Sequence, residues 1–130
     1  MEVNGEMDAM LLEDLLSQLP SLQRRLLSEH PEDALQATRR LAGLWADGLP
    51  LRAFSDLPQH LVQLAGDAAR PRELRLAALQ ALCHVAPDTD LLHESRALPL
   101  CVGLLQSADE GLRDQAFQVL ERVRQQGDVF

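Results

Sequence analysis

Four side chains in this sequence could do chemistry: Cys83, His84, His93 and Cys101. A thiol beside an imidazole can act as a nucleophile, and cysteines with histidines can hold zinc. Structural zinc needs four well-placed ligands, and two cysteines 18 residues apart match no compact Cys/His signature. Both cysteines fall in apolar helical registers, where a buried thiol behaves as a small hydrophobe. The chain carries no glycine-rich phosphate loop and no His-Glu-x-x-His. Acidic pairs such as Glu32-Asp33 and Asp109-Glu110 open helices, where the helix dipole favours negative charge. The residues therefore predict a non-enzymatic protein with no catalytic residue, no metal and no cofactor. A metal- or thiol-dependent enzyme using Cys83 and His84 is the alternative.

Three polar pairs are better candidates: Gln36/Arg40, Gln80/His84 and Gln118/Arg122. Residues four apart share a helix face. Each pair lies off the apolar stripe of its own helix. If the helices stack, the pairs form a ladder of three amides beside Arg, His and Arg. Regularly spaced amides can hold the backbone of an extended peptide, and the bases favour an acidic one. His84 is expected to protonate at about pH 6.5 and then to strengthen the hold on an acidic ligand. The competing reading is a solvated helix face with no ligand, because exposed Gln and Arg are common.

The elements that position these pairs show in an internal repeat. The frame Ala78-Leu79-Gln80-Ala81-Leu82-Cys83-His84-Val85 has counterparts beginning at Ala34 and Ala116, at spacings of 44 and 38 residues. Leu-Pro runs ahead of each frame, as Leu19-Pro20, Leu57-Pro58 and Leu98-Pro99. A period near 40 marks solenoids of paired or tripled helices. Apolar periodicity and proline breaks predict helices over about 8–19, 22–28, 32–46, 57–68, 71–86, 90–95, 98–107 and 109–126. Asp8 and Ser55 or Asp56 are expected N-caps. Pro20 is expected to open the second helix, with Leu22, Leu26 and Leu27 facing inward. In the last helix Leu112, Ala116, Phe117, Val119, Leu120 and Val123 are expected to face inward. The organisation predicted is an acidic N-terminal segment and capping helix over 1–18, units over about 19–47, 48–86 and 87–126, and a tail over 127–130.

Composition agrees. Of 130 residues, 46% are hydrophobic and only 3% aromatic, and the chain has no Ile and no Tyr. Leu and Ala carry the apolar content, which favours helix over strand. The net charge is −8, with 20 acids against 12 bases, all Arg. Such a chain repels phosphate backbones, so nucleic acid is not the expected partner despite the cluster Arg70, Arg72 and Arg75. No apolar run reaches membrane-spanning length, and the N-terminus lacks the basic start and apolar core of a signal peptide. Neither a membrane nor a small-molecule substrate is expected. By exclusion, the cytoplasm or nucleus is the expected location. The early acids Glu2, Glu6, Asp8, Glu13 and Asp14 read as a solvated helix start or as an arm that docks on a basic groove.

Residues 93–116, HESRALPLCVGLLQSADEGLRDQA, resemble the armadillo repeat. The shared pattern is a turn, Leu98-Pro99, an apolar pair, Leu104-Leu105, a Ser/Asp turn, Leu112-Arg113 and Ala116. Residues 57–85 resemble it more loosely, and 19–45 more loosely still. The resemblance implies an all-α fold, an armadillo/HEAT-like right-handed α-solenoid of about three repeats with seven or eight helices. It implies a protein–protein interaction module or scaffold, or the terminal part of a larger solenoid used in complex assembly. Armadillo units carry Gly where this chain has Arg96, which implies a looser corner nearer the HEAT type. Importin-type units line their groove with Trp and, four residues on, Asn; the matching positions here are the three Gln-led pairs.

Overall fold

The structure is a computed structural model that describes residues 9–48 and 56–126; for residues 9–16, 89 and 126 only the backbone is described. Seven α-helices occur among the described residues: α1 Ala9–Leu26, α2 Pro31–Ala46, α3 Leu57–Gly66, α4 Arg72–Leu82, α5 Thr89–Ser95, α6 Ala97–Leu104 and α7 Glu110–Gln126. A 3-10 turn, Cys83–Val85, extends α4. No strand is present among the described residues, so the chain is all-α. The expected caps at Asp8 and Ser55 lie outside the described residues.

The frame helices α2, α4 and α7 lie side by side in chain order, α4 touching both of the others. Behind them α1 packs on α2, α3 on α4 and α6 on α7, with α5 at the corner between α3 and α6. Small residues allow this. Ala34, Ala78 and Ala116, the first residue of each frame, are fully buried. An alanine holds a helix without loss of side-chain entropy and lets a neighbour approach closely. Leu41, Leu74, Leu79, Leu82 and Val85 fill the space around them, each contributing roughly 1.5–3 kcal/mol of transfer free energy. Trp45 is buried near the end of α2. Thr38 is the buried polar member of that helix, and its hydroxyl donates to the Ala34 carbonyl at 2.7 Å.

Proline and helix ends set the boundaries. Pro31 stands at the start of α2 and Pro58 in the first turn of α3, where a missing N–H costs no intrahelical bond. Pro20 does not open a helix. It sits inside α1, which runs unbroken through it. A proline there costs about 3 kcal/mol in an isolated helix. Leu19, Leu22 and Leu26, on either side of it, are buried on one face while Pro20 is exposed. Packing thus holds both halves of α1 in line against the local preference. Two residues expected inward are not: Leu27 and Phe117 are about half exposed.

Asp56 stands at the N-cap of α3 but makes no capping bond; its Oδ2 accepts from Gln23 Nε2 of α1 at 2.9 Å. Asp88 does cap α5, accepting from the Leu91 backbone N–H at 3.0 Å. Asp109 caps α7, its Oδ1 accepting from Gly111 and Leu112 backbone N–H groups at 2.9 and 3.3 Å.

The junction between α5 and α6 is a single left-handed residue. Arg96 has φ 64° and ψ 30°, in the left-handed region. This is the conformation that glycine adopts at little cost. An arginine thus takes up, between α5 and α6, a backbone conformation that favours glycine.

Candidate functional site

The site begins with α2, α4 and α7, whose outer faces carry the polar pairs. Gln36, Arg40, Gln80, Gln118 and Arg122 are exposed and His84 is partly buried. Burial has a physical origin in each frame. Positions matching Ala34, Ala37 and Leu41 face the second layer and are closed off in all three helices. The Gln position lies about 200° around the helix from that Ala position, and the Arg/His position about 240°. Both lie off the buried stripe, and in α2 they border α1.

His84 and Arg122 come within electrostatic reach of each other. Partial burial, and then the Arg122 charge, push the His84 imidazole below its ordinary pKa of 6.5. The free protein thus holds His84 more neutral at a given pH than an exposed histidine would be. The expectation that it protonates at its ordinary pKa is corrected downward.

Gln36 and Arg40 have a different surrounding. With Leu44 of α2 and Ser17, Gln18, Leu19, Ser21, Leu22 and Arg25 of α1 they line a groove of about 550 Å³. Two guanidinium-bearing residues, Arg25 and Arg40, share this groove, and among the described residues none of its lining is acidic. Arg25, half of the sequence doublet Arg24-Arg25, stands outside the three spaced pairs. It joins the site because α1 runs through Pro20 and brings its last turns beside α2.

The arginines of the dense cluster have internal work. Arg70 Nη1 donates to the Ser28 carbonyl at 3.1 Å. Arg72 Nε donates to Asp109 Oδ2 at 2.7 Å, joining the N-terminal ends of α4 and α7. Arg75 Nε donates to the Ala65 carbonyl at 2.9 Å, near the end of α3. They hold elements together, and their proximity in sequence reflects the packing around the start of α4.

The thiols are poorly placed for chemistry. Cys83 and Cys101 are both free and buried. Burial pushes the Cys83 thiol up, against a lowering influence from Arg122. Burial, with the nearby Cys83, pushes Cys101 up to about 12. Thiolate is the nucleophile and metal ligand, so both groups rest in the less reactive form. No group of three His, Cys, Asp or Glu that could hold a metal is present among the described residues. His93 is exposed on α5.

A polar cluster not anticipated from the sequence ties α1 to α3. Gln23 Nε2 donates to Asp56 Oδ2 and lies 3.3 Å from His60 Nε2, which is 3.7 Å from Asp56 Oδ2. Asp56 and His60 stand 33 and 37 residues from Gln23 in sequence, so no local motif marks the cluster.

No helix among the described residues is long and apolar enough to cross a membrane. No protein-family model matches the chain, and no curated protein matches it.

Proposed function

We propose that this protein is a non-enzymatic protein–protein interaction module or scaffold, an armadillo/HEAT-like α-solenoid of about three units working in the cytoplasm or nucleus. Its ligand is an extended, acidic protein segment held on the face that carries Gln36/Arg40, Gln80/His84 and Gln118/Arg122. The observation that carries this reading is the side-by-side packing of α2, α4 and α7 in chain order, each with its backing helix. Helices repeated in that way present equivalent positions along one surface, and the Gln residues occupy such positions. The arginines in the α1–α2 groove and beside His84 supply the charge that an acidic segment needs. No cofactor takes part.

The test uses a fluorescent peptide of alternating Glu and Ser, titrated with the full chain. Binding is expected at low salt and weakens as salt rises, because partly exposed charge pairs are screened. Arg40→Glu with Arg122→Glu should reduce affinity at least tenfold and leave the urea midpoint nearly unchanged, since exposed charge swaps cost within about 0.5 kcal/mol. A carboxylate beside His84 raises its pKa above the lowered value of the free protein, so affinity should grow as pH falls through the bound-state pKa and level off once the free imidazole also protonates. Equal binding by wild type and the double variant would place the interaction elsewhere.

A further inference from the structure

The groove between α1 and α2 is built from two rows. Ser17, Ser21 and Arg25 recur every four residues along α1, and Gln36, Arg40 and Leu44 every four along α2. Side chains four apart share a helix face, so each helix turns one row to the groove. Leu19 and Leu22 line it as well and are buried, as Leu44 is.

The two arginines of this groove have no internal work. Arg70, Arg72, Arg75, Arg113 and Arg124 each donate to a carbonyl or a carboxylate. Arg25 and Arg40 make no hydrogen bond and no ion pair among the described residues. The chain has 20 acids for 12 bases, so a groove holding two arginines and no described carboxylate is a local reversal of charge. A cleft lined by one sign of charge gathers the opposite ion, and an incoming anion relieves the repulsion within it.

We propose that the α1–α2 groove takes a phosphoserine or phosphothreonine of the bound protein segment, with Arg25 and Arg40 on the phosphate, a site that rests on the reading of an acidic ligand along the frame helices and lies at its α1 end. A carboxylate engages one guanidinium with its two oxygens. A phosphomonoester offers three acceptor oxygens and about two negative charges near neutral pH, which matches two guanidiniums. Ser21 and Gln36 add a hydroxyl and an amide to the same lining. The volume of about 550 Å³ lies within the roughly 300–1,000 Å³ of clefts that hold small ligands, so a phosphorylated side chain has room. A nucleic-acid backbone fits less well: each of its phosphates carries one charge, and a net charge of −8 repels a polyanion.

The experiment titrates the full chain into three fluorescent peptides of alternating Glu and Ser. One is unmodified, one has its central Ser phosphorylated, and one has Glu in that Ser's place. The phosphorylated peptide should bind roughly tenfold or more tightly than the other two, the worth of one hydrogen bond between charged groups. Arg25→Gln and Arg40→Gln should each bring that ratio back toward one and keep the helical circular dichroism, because neither side chain has a partner in the fold. Arg24→Gln alters the neighbouring arginine, which is exposed and does not line the groove, and should keep the ratio. Arg122→Gln, on α7, should weaken all three peptides alike. Equal binding of the phosphorylated and Glu peptides overturns the phosphate site and leaves the acidic-segment reading standing. A ratio that Arg24→Gln lowers as much as Arg25→Gln does so too. Binding of the phosphorylated peptide alone supports the groove and removes the ladder as a binding face. No binding by any peptide overturns both. Displacement of the phosphorylated peptide by oligothymidylate at equal phosphate concentration overturns the choice of a protein ligand.

Discussion

Arg75 and Arg113 stand three residues before the first alanine of successive frames, and each turns back to the segment that precedes its own helix. Arg75 Nε donates to the Ala65 carbonyl at 2.9 Å, and Arg113 Nη1 to the Ser107 carbonyl at 2.9 Å. The first anchors the end of α3, the second the turn after α6. The carbonyls at a helix end lack donors from the helix itself, and a guanidinium satisfies them with charge assistance.

Arg75→Ala and Arg113→Ala should each lower stability by about 1–2 kcal/mol, the range of a partly buried hydrogen bond to a charged group. Urea unfolding monitored by circular dichroism measures this. Equal midpoints for wild type and both variants would show that the two carbonyls are satisfied as well by water.

Ala78 has no exposed surface. Ala78→Arg forces a long charged side chain between helices and should cost on the order of 3 kcal/mol or more through overpacking and buried charge. Gln80→Arg, two residues on and exposed, is the control and should melt as wild type does.

Arg96 occupies a left-handed conformation that costs an L-residue about 1–2 kcal/mol, against roughly 0.4–1 kcal/mol of extra chain entropy for glycine. Arg96→Gly should therefore raise the thermal midpoint, with a net gain of up to about 1.6 kcal/mol. Arg96→Val should lower it. A glycine variant less stable than wild type would mean that the arginine side chain secures the corner.

Acid should weaken the tie between α4 and α7. The hydrogen bond from Arg72, aided by backbone N–H groups of Leu112 and Gly111, holds the Asp109 carboxyl below its ordinary range. A depressed folded-state pKa stabilises above the unfolded value, about 4, and that contribution fades as pH falls through the folded pKa. Asp109→Asn should flatten the pH dependence of stability below about pH 4, where carboxylates begin to titrate. An unchanged acid limb would assign that dependence to other carboxylates.

Helix placement was legible because proline and apolar spacing act locally. The alanines of the frame were legible for a related reason: a small residue repeated in one register signals a close approach. Phe117 was assigned inward because periodicity separates apolar from polar but not one neighbour from another. Leu79, at the same frame position, is fully buried, whereas Phe117 is about half exposed. Pro20 was misread because packing of Leu19, Leu22 and Leu26 outweighs a local rule. The arginines were opaque for a third reason. Arg70 reaches a carbonyl 42 residues away and Arg72 a carboxylate 37 away, and no pattern within one helix encodes such partners. Arg25 entered the groove only through the unbroken α1.

The position of α4, with α2 and α7 on its two sides and α3 behind it, has a kinetic consequence. In a linear array, each element is released only when a neighbour has left, so opening proceeds inward from the ends. Amide exchange in α4 should require nearly global unfolding, while α1 and α7 exchange through smaller openings. Transient detachment of α1 would open the Gln36/Arg40 groove without disturbing the central helix. A protease acting on the native chain should thus meet α1 or α7 long before it meets Leu79.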